Sequence, residues 1–213
     1  MTRDRFVHLV MVVLILSVPL PAVAGDRGFI GGLGGITFGT TTSGSLAGSF
    51  GVSLSPYVQL FGEFGQMRNT LPSSENTTLQ ANAAAVASDL GSTSAPVILG
   101  NLPVFYGMGG VRLKAKSGQV TPFGEAAFGF AHITSTLVAT LDGQDISSQV
   151  FTTPLTSNLP QTQAIEAFGG GVTIAAGKQA AVDIGYRYSH IGTANNATPI
   201  NTSALYGALR FKF

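Results

Sequence analysis

The sequence predicts an all-β protein, an eight-stranded antiparallel up-and-down barrel that crosses a membrane by its strands. Three observations predict it. The chain after its first 24 residues divides into eight long segments in which apolar side chains alternate with small or charged ones, the period of two that a strand imposes. After the second segment, tight turns alternate with long connections rich in Ser, Thr, Asn and Pro. No apolar run past the N-terminus approaches the roughly 18 to 20 residues of a membrane helix, yet 45% of the residues are hydrophobic.

The N-terminus comes first. Arg3 and Arg5 precede an apolar run interrupted only by His8 and Ser17, Pro19 and Pro21 follow it, and Ala22-Val23-Ala24 supplies small residues at a cleavage position. This is the pattern of a secretory leader, so residues 1–24 are expected to be removed and residues 25–213 to form one barrel domain.

The eight segments follow in order: 29–40, 44–54, 57–68, 104–115, 120–133, 163–175, 180–190 and 203–213. They run longer than the five or six residues common in globular strands and match or exceed the roughly 9 to 11 of a tilted membrane strand. Residues 55–56, 116–119 and 176–179 read as tight turns, and 69–103, 134–162 and 191–202 as long outer loops; the first outer connection, 41–43, is short. Both termini then lie at the end that carries the tight turns. Within the second outer loop, residues 76–90 read as a short amphipathic helix, with Asn76 or Thr77 as N-cap, Leu79, Ala83, Val86 and Leu90 on one stripe, and Gly91 as terminator.

Strand parity assigns the faces. In the third segment Val58, Leu60 and Phe64 point out, and Gln59 and Glu63 in. Phe105, Val111 and Leu113 point out in the fourth, with Arg112 and Lys114 inside. In the seventh, Val182, Ile184, Tyr186 and Tyr188 are outside and Asp183, Gly185, Arg187 and Ser189 inside. The last segment puts Leu205, Leu209, Phe211 and Phe213 outside, opposite Arg210 and Lys212. In the sixth, Glu166 and Val172 share a parity, which suggests a bulge near Gly169-Gly170-Gly171. Glycine, 28 of 213 residues, suits a narrow barrel whose interior has little room. Tyr57, Tyr106, Tyr186, Tyr188 and Tyr206 are candidates for interfacial anchoring.

Composition excludes several functions. Losing the leader takes Arg3, Arg5 and Asp4 from 11 basic and 10 acidic residues, so nine of each remain and no basic excess recruits nucleic acid. There is no cysteine, hence no disulfide framework and no thiolate metal site. His132 and His190 sit near outer strand ends without a clustered carboxylate, the 142–145 segment Asp-Gly-Gln-Asp reads as a plain turn, and the Gly-rich 31–35 segment lacks the Lys-Ser/Thr of a phosphate loop. Neither cofactor nor metal is expected.

In pattern over most of the chain, and in motif at Gly185-Tyr186-Arg187-Tyr188 and Leu209-Arg210-Phe211-Lys212-Phe213, the sequence resembles the small eight-stranded outer-membrane barrels of Gram-negative bacteria, the group of the OmpA transmembrane domain, OmpX and the opacity proteins. The ending, with Leu209, Phe211 and Phe213, resembles the signal that the barrel-assembly machinery reads, with Ala208 standing where that signal usually has Gly. The resemblance implies the cell outer membrane, its lipid and lipopolysaccharide as surroundings, and a structural or adhesion-like role in which outer loops meet a host or surface ligand.

Glu63, Glu125, Glu166 and Asp183 against Arg112, Lys114, Arg187, Arg210 and Lys212 are expected to form a lumenal network of ion pairs that plugs the barrel. The alternative is a narrow porin-like channel, and a soluble exported β-sandwich is a further one. A third functional reading, a lipid A-modifying enzyme, meets Gly192 where a nucleophilic Ser would be needed, no acidic residue after Asp183, and Ser189 and His190 on opposite faces. The chain is therefore expected to be no enzyme.

Overall fold

The computed structural model describes residues 28–39, 41–115, 118–134, 136–150, 161–192 and 199–213. The leader, and with it the cleavage after Ala24, lies outside them. Among the described residues the strands are β1 (Gly28–Phe38), β2 (Ser43–Ser53), β3 (Val58–Met67), β4 (Val97–Asn101), β5 (Val104–Lys114), β6 (Val120–Ile133), β7 (Thr136–Leu141), β8 (Gln144–Asp145), β9 (Gln161–Ala175), β10 (Ala180–Ile191) and β11 (Ile200–Lys212). The helices among the described residues are α1 (Ser73–Asp89) and α2 (Ser147–Val150).

Eight of the strands close a barrel in the order β1, β11, β10, β9, β6, β5, β3, β2, each antiparallel to its neighbours. Every barrel strand neighbours its predecessor in the wall, and β1 closes on β11 through ten register pairs from Phe29 with Lys212 to Phe38 with Ser203. Closure satisfies both sheet edges, which an open eight-stranded sheet would leave bare. The tight turns lie at one end, here the turn end, and the long connections at the other, the loop end.

Element ends shift by a few residues for local reasons. β1 stops at Phe38 because Gly39 takes a positive φ of 92° and turns the chain. β9 starts at Gln161 and β11 at Ile200, earlier than alternation suggested, because their loop-end residues still pair with Ile133 and Ile191. The bulge expected near Gly169 is absent: β9 pairs without interruption from Ile165 to Ala175 against β10 and from Gln161 to Ile174 against β6.

The wall sorts its side chains by parity. Ile30, Ile36, Leu46, Phe50, Phe64, Phe105, Leu113, Phe130, Phe168, Ile184, Leu205 and Leu209 face outward and are exposed, Phe64 to 64% and Leu46 to 63%. Inside, glycine makes room for large rings. Gly65 is the register partner of Tyr106 and Gly185 of Tyr206. A Cβ on Gly65 would lie 2.5 Å from the Tyr106 hydroxyl, and one on Gly185 2.6 Å from the Tyr206 ring. Each tyrosine thus lies across the glycine opposite it.

The loop end carries structure that alternation did not reveal. β4, β7 and β8 form a separate three-stranded sheet. β7 turns into β8 through Asp142 and Gly143, both at positive φ (50° and 81°), the geometry of a two-residue type I′ hairpin. α1 packs Ala83 and Ala87 on Ala139, Leu141 and Ile146, so the second and third loops share one small apolar core. The helix begins at Ser73, after Pro72 in the N-cap position with no side-chain cap, in place of the expected Asn76 or Thr77. Its end is a Schellman motif on Gly91, with Gly91 N–H donating to Ser88 O and Ser92 N–H to Ala87 O. Leu79 is buried on the expected stripe, but Leu90, at the helix end, is 54% exposed and Ala87 takes its place.

Candidate functional site

Six ionised side chains meet inside the barrel: Glu63 on β3, Arg112 on β5, Glu125 on β6, Asp183 and Arg187 on β10, and Arg210 on β11. All six are buried. Three carboxylates face three guanidiniums, so the cluster is neutral as a unit and each charge has an opposite neighbour, the condition for keeping ions out of water.

The pairs form a chain across the lumen. Arg187 donates through Nη1 and Nη2 to Glu63, and through Nε (3.1 Å) and Nη2 (2.7 Å) to Glu125 Oε1. Glu125 Oε2 accepts from Arg112 Nε at 3.0 Å and Nη2 at 2.7 Å. Arg112 Nη1 then reaches Asp183 Oδ2, and Asp183 Oδ1 accepts from Thr173 Oγ1 at 2.7 Å and Arg210 Nη2 at 3.1 Å. Arg210 Nε lies 2.9 Å from Asp183 Oδ2, but its N–H is not aimed at that oxygen and has no hydrogen-bond acceptor. Arg210 Nη1 donates to Gln59 Oε1 at 3.2 Å, which fixes Gln59 below the cluster.

Aromatic rings complete the packing. The Arg112 guanidinium sits 4.1 Å from the Phe123 centroid, Arg210 4.7 Å from Phe29 and Arg187 5.1 Å from Tyr206. A weakly hydrated guanidinium loses little by covering a ring face, so the planes not used for hydrogen bonds are also filled. Tyr106 donates to Glu63 Oε1 at 2.9 Å and Tyr206 to Glu125 Oε1 at 3.1 Å.

These two tyrosines correct an expectation. Tyr106 and Tyr206 are not interfacial anchors but buried braces of the carboxylates; only Tyr57, Tyr186 and Tyr188 are exposed on the outer face. Their own parity was the available signal, because Tyr106 follows outward Phe105 and Tyr206 follows outward Leu205. Thr173 and the rings of Phe29, Phe61 and Phe123 are further members that charge alone did not suggest.

The remaining expected members lie elsewhere. Glu166 is exposed on the outer face, between Phe128 of β6 and His190 of β10 in register, so it takes no part in the network. With the bulge absent, parity is unbroken along β9 and carries Glu166 out with Phe168. Lys114 and Lys212 point inward but are only half-buried, at the turn end beyond the cluster. Ser189 is buried inside while His190 lies on the outer face, where its Nδ1 is 2.7 Å from Asn201 Oδ1. His132 Nδ1 lies 3.0 Å from Thr162 Oγ1, also outside. Among the described residues no cluster of three metal-ligating side chains occurs.

The two ends of the lumen differ. Toward the loops it is filled by Met67, Leu102, Ile133, Ile165, Ile191 and Ile200, with Leu79 of α1 packed among them. Asn69 ties the neck of the second loop over this plug, its Oδ1 accepting from Leu71 and Leu102 N–H, both at 3.1 Å. Toward the turns a cavity of about 270 Å³ opens below the ion cluster.

No protein-family model matches the chain, and no curated protein aligns with it. Solved structures do. Neisserial surface protein A superposes with a TM-score of 0.53 at 15% identity, over 89% of this chain and 98% of that one. The N-terminal β-barrel domain of Pseudomonas aeruginosa OprF aligns with a TM-score of 0.46 at 13% identity (89% and 100%), and the attachment invasion locus protein Ail of Yersinia pestis with 0.44 at 12% (87% and 97%). The closed ring of eight strands and its superposition on Neisserial surface protein A make this chain a small eight-stranded barrel of the outer-membrane type in fold.

Proposed function

We propose that the protein is an outer-membrane barrel whose wall is a structural anchor and whose loop subdomain meets a host or surface ligand. One observation carries the reading: the profile is inverted, with large apolar side chains exposed around the wall and charges buried within it. Water would leave that belt a contiguous apolar patch far larger than soluble monomers show. Lipid is the solvent that suits it, and a closed barrel is one of the two architectures that hide the backbone there. In this reading the turns lie in the periplasm and the subdomain of α1, β4, β7 and β8 outside the cell, against lipopolysaccharide, and the alternation of tight turns and long loops supports that orientation.

The sequence supports the route. Residues 1–24 act as a cleaved export leader, and Leu209, Phe211 and Phe213, with Phe211 48% and Phe213 66% exposed on the last strand, are presented where an assembly machine can read them. Catalysis is not part of this reading, since Ser189 and His190 point to opposite sides of the wall and Gly192 has no side chain. The test is cellular. The full chain should fractionate with outer membranes, migrate differently in gels before and after boiling, and lose its second and third loops to protease added outside intact cells. Recovery in the soluble periplasmic fraction would refute the proposal.

A further inference from the structure

We infer that the turn-end mouth of the lumen is a binding site for a phosphate group. Its cavity, about 270 Å³, is lined by Phe29, Ser53, Ser55, Gln59, Lys114 and Lys212 among others. The ion cluster above balances without the two lysines, and neither ammonium is ion-paired among the described residues. Lys114 is within electrostatic reach of Lys212, Arg210 and Arg112, so positive charge accumulates here. The carboxylate in the same reach, Asp183, is fully buried and already committed to Arg112, Arg210 and Thr173.

The polar lining is set to donate. Ser53 Oγ accepts from Gln59 Nε2 at 2.9 Å, and Ser55 Oγ accepts from the N–H groups of Tyr57 and Val58, both at 3.1 Å. With their oxygens used as acceptors, the hydroxyl hydrogens of these two lining serines are left to donate to a ligand. Gln59 is locked by Arg210 on one side and Ser53 on the other. Two ammoniums and two hydroxyls lining one cavity match a tetrahedral dianion better than a neutral solute or a cation. The volume is below the roughly 300 Å³ at which pockets for drug-sized ligands begin, so the site takes one phosphate group, free or at the end of a larger molecule.

The experiment titrates inorganic phosphate into the full chain, refolded in uncharged detergent micelles, and follows ³¹P line width. Saturable binding is expected, weakened about tenfold or more by Lys114→Gln and by Lys212→Gln, the loss of one charge-assisted hydrogen bond each, and absent in the double variant. Neither lysine holds an ion pair, so both variants should fold, which unchanged heat-modifiable migration checks. Lys178→Gln, at an exposed turn position outside the cavity, should bind as the parent does. Glycerol 3-phosphate separates the sources: binding equal to phosphate identifies the end of a larger molecule, and weaker binding identifies free phosphate. No saturable binding, equal binding of acetate, unchanged binding in the double variant, or an equal loss in Lys178→Gln would each overturn the assignment.

Discussion

Arg187→Ala should unfold the barrel more easily without opening it. Arg187, 5% exposed, bridges Glu63 and Glu125 with four hydrogen bonds. Its removal leaves three buried carboxylates facing two guanidiniums. Glu125 keeps Arg112 and Tyr206, but Glu63 keeps only the Tyr106 hydroxyl, a neutral donor. Removing one partner of a buried pair costs about 3 to 5 kcal/mol, because the other charge stays out of water. With an m-value of about 1 to 3 kcal/mol per molar urea, the midpoint of unfolding from lipid vesicles should fall by about 1 M or more. The assay is equilibrium urea unfolding followed by tyrosine fluorescence and by heat-modifiable migration. Adding Glu63→Gln removes the orphaned charge, so the double variant should recover part of the loss and show coupling of about 0.5 to 3 kcal/mol. A midpoint within about 0.5 M of the parent, a shift of about 1.5 kcal/mol or less, or strict additivity of the two substitutions, would refute the claim that this cluster is a mutually dependent unit.

Three further predictions use the same measurements. Glu166→Gln should change stability by less than about 1 kcal/mol, since the side chain lies on the outer face near the loop end, where acidic residues cost little; a loss comparable with that of Arg187→Ala would put Glu166 back in the lumen. Gly185→Ala should cost about 1 to 3 kcal/mol in the unfolding midpoint, because the added methyl would lie 2.6 Å from the Tyr206 ring and push that tyrosine off Glu125. In the loop subdomain, hydrogen bonds from Ser94 and Ser92 hold the Asp142 carboxyl below its ordinary range, and Ser147 does the same for Asp145. A carboxyl depressed in the folded state contributes stability above its unfolded range and loses it as pH falls through the folded one. Acidification below pH about 4 should therefore loosen the subdomain to protease before it affects the barrel, and equal resistance at neutral and acid pH would count against these ties.

Strand parity made the wall legible, because period two is a local property and lipid outside a charged lumen doubles its contrast. It placed Glu63, Arg112, Glu125, Asp183, Arg187 and Arg210 on the inner face, and the structure brings all six together. It was least informative where both faces are small. Gly169-Gly170-Gly171 has no side chains to alternate, and the sign of Glu166 followed from a break that does not exist. The loop subdomain was illegible for another reason. β4 is five residues and β7 six, set among Ser, Thr and Pro, and their pairing joins segments almost forty residues apart, which no local pattern encodes. Only Asp142-Gly143 carried a signal, and it read as a plain turn without naming the strands that it joins. Helix α1 was found through Leu79 and Ala83, whereas its N-cap was not, because Pro72 acts through its fixed φ and not through a side-chain acceptor.

The described residues fill the lumen with two layers of different chemistry, and on that ground Arg187→Ala should leave conductance unchanged. From the turn end, the mouth lined by Lys114 and Lys212 leads to the paired cluster. Beyond it lies the apolar plug of Met67, Leu102, Ile133, Ile165, Ile191 and Ile200, capped by Leu79. A single buried aliphatic side chain contributes about 1.5 to 3 kcal/mol, so wetting this layer costs several such increments together with the packing of α1. Arg187 is not a member of this layer. The charged layer fixes the wall by linking β3, β5, β6, β10 and β11 across the lumen, and the apolar layer fixes the loop subdomain to the wall. Each layer thus answers a structural need at its own depth. A solute path would have to dismantle both, and a phosphate entering the mouth would stop at the cluster, bound and not transported.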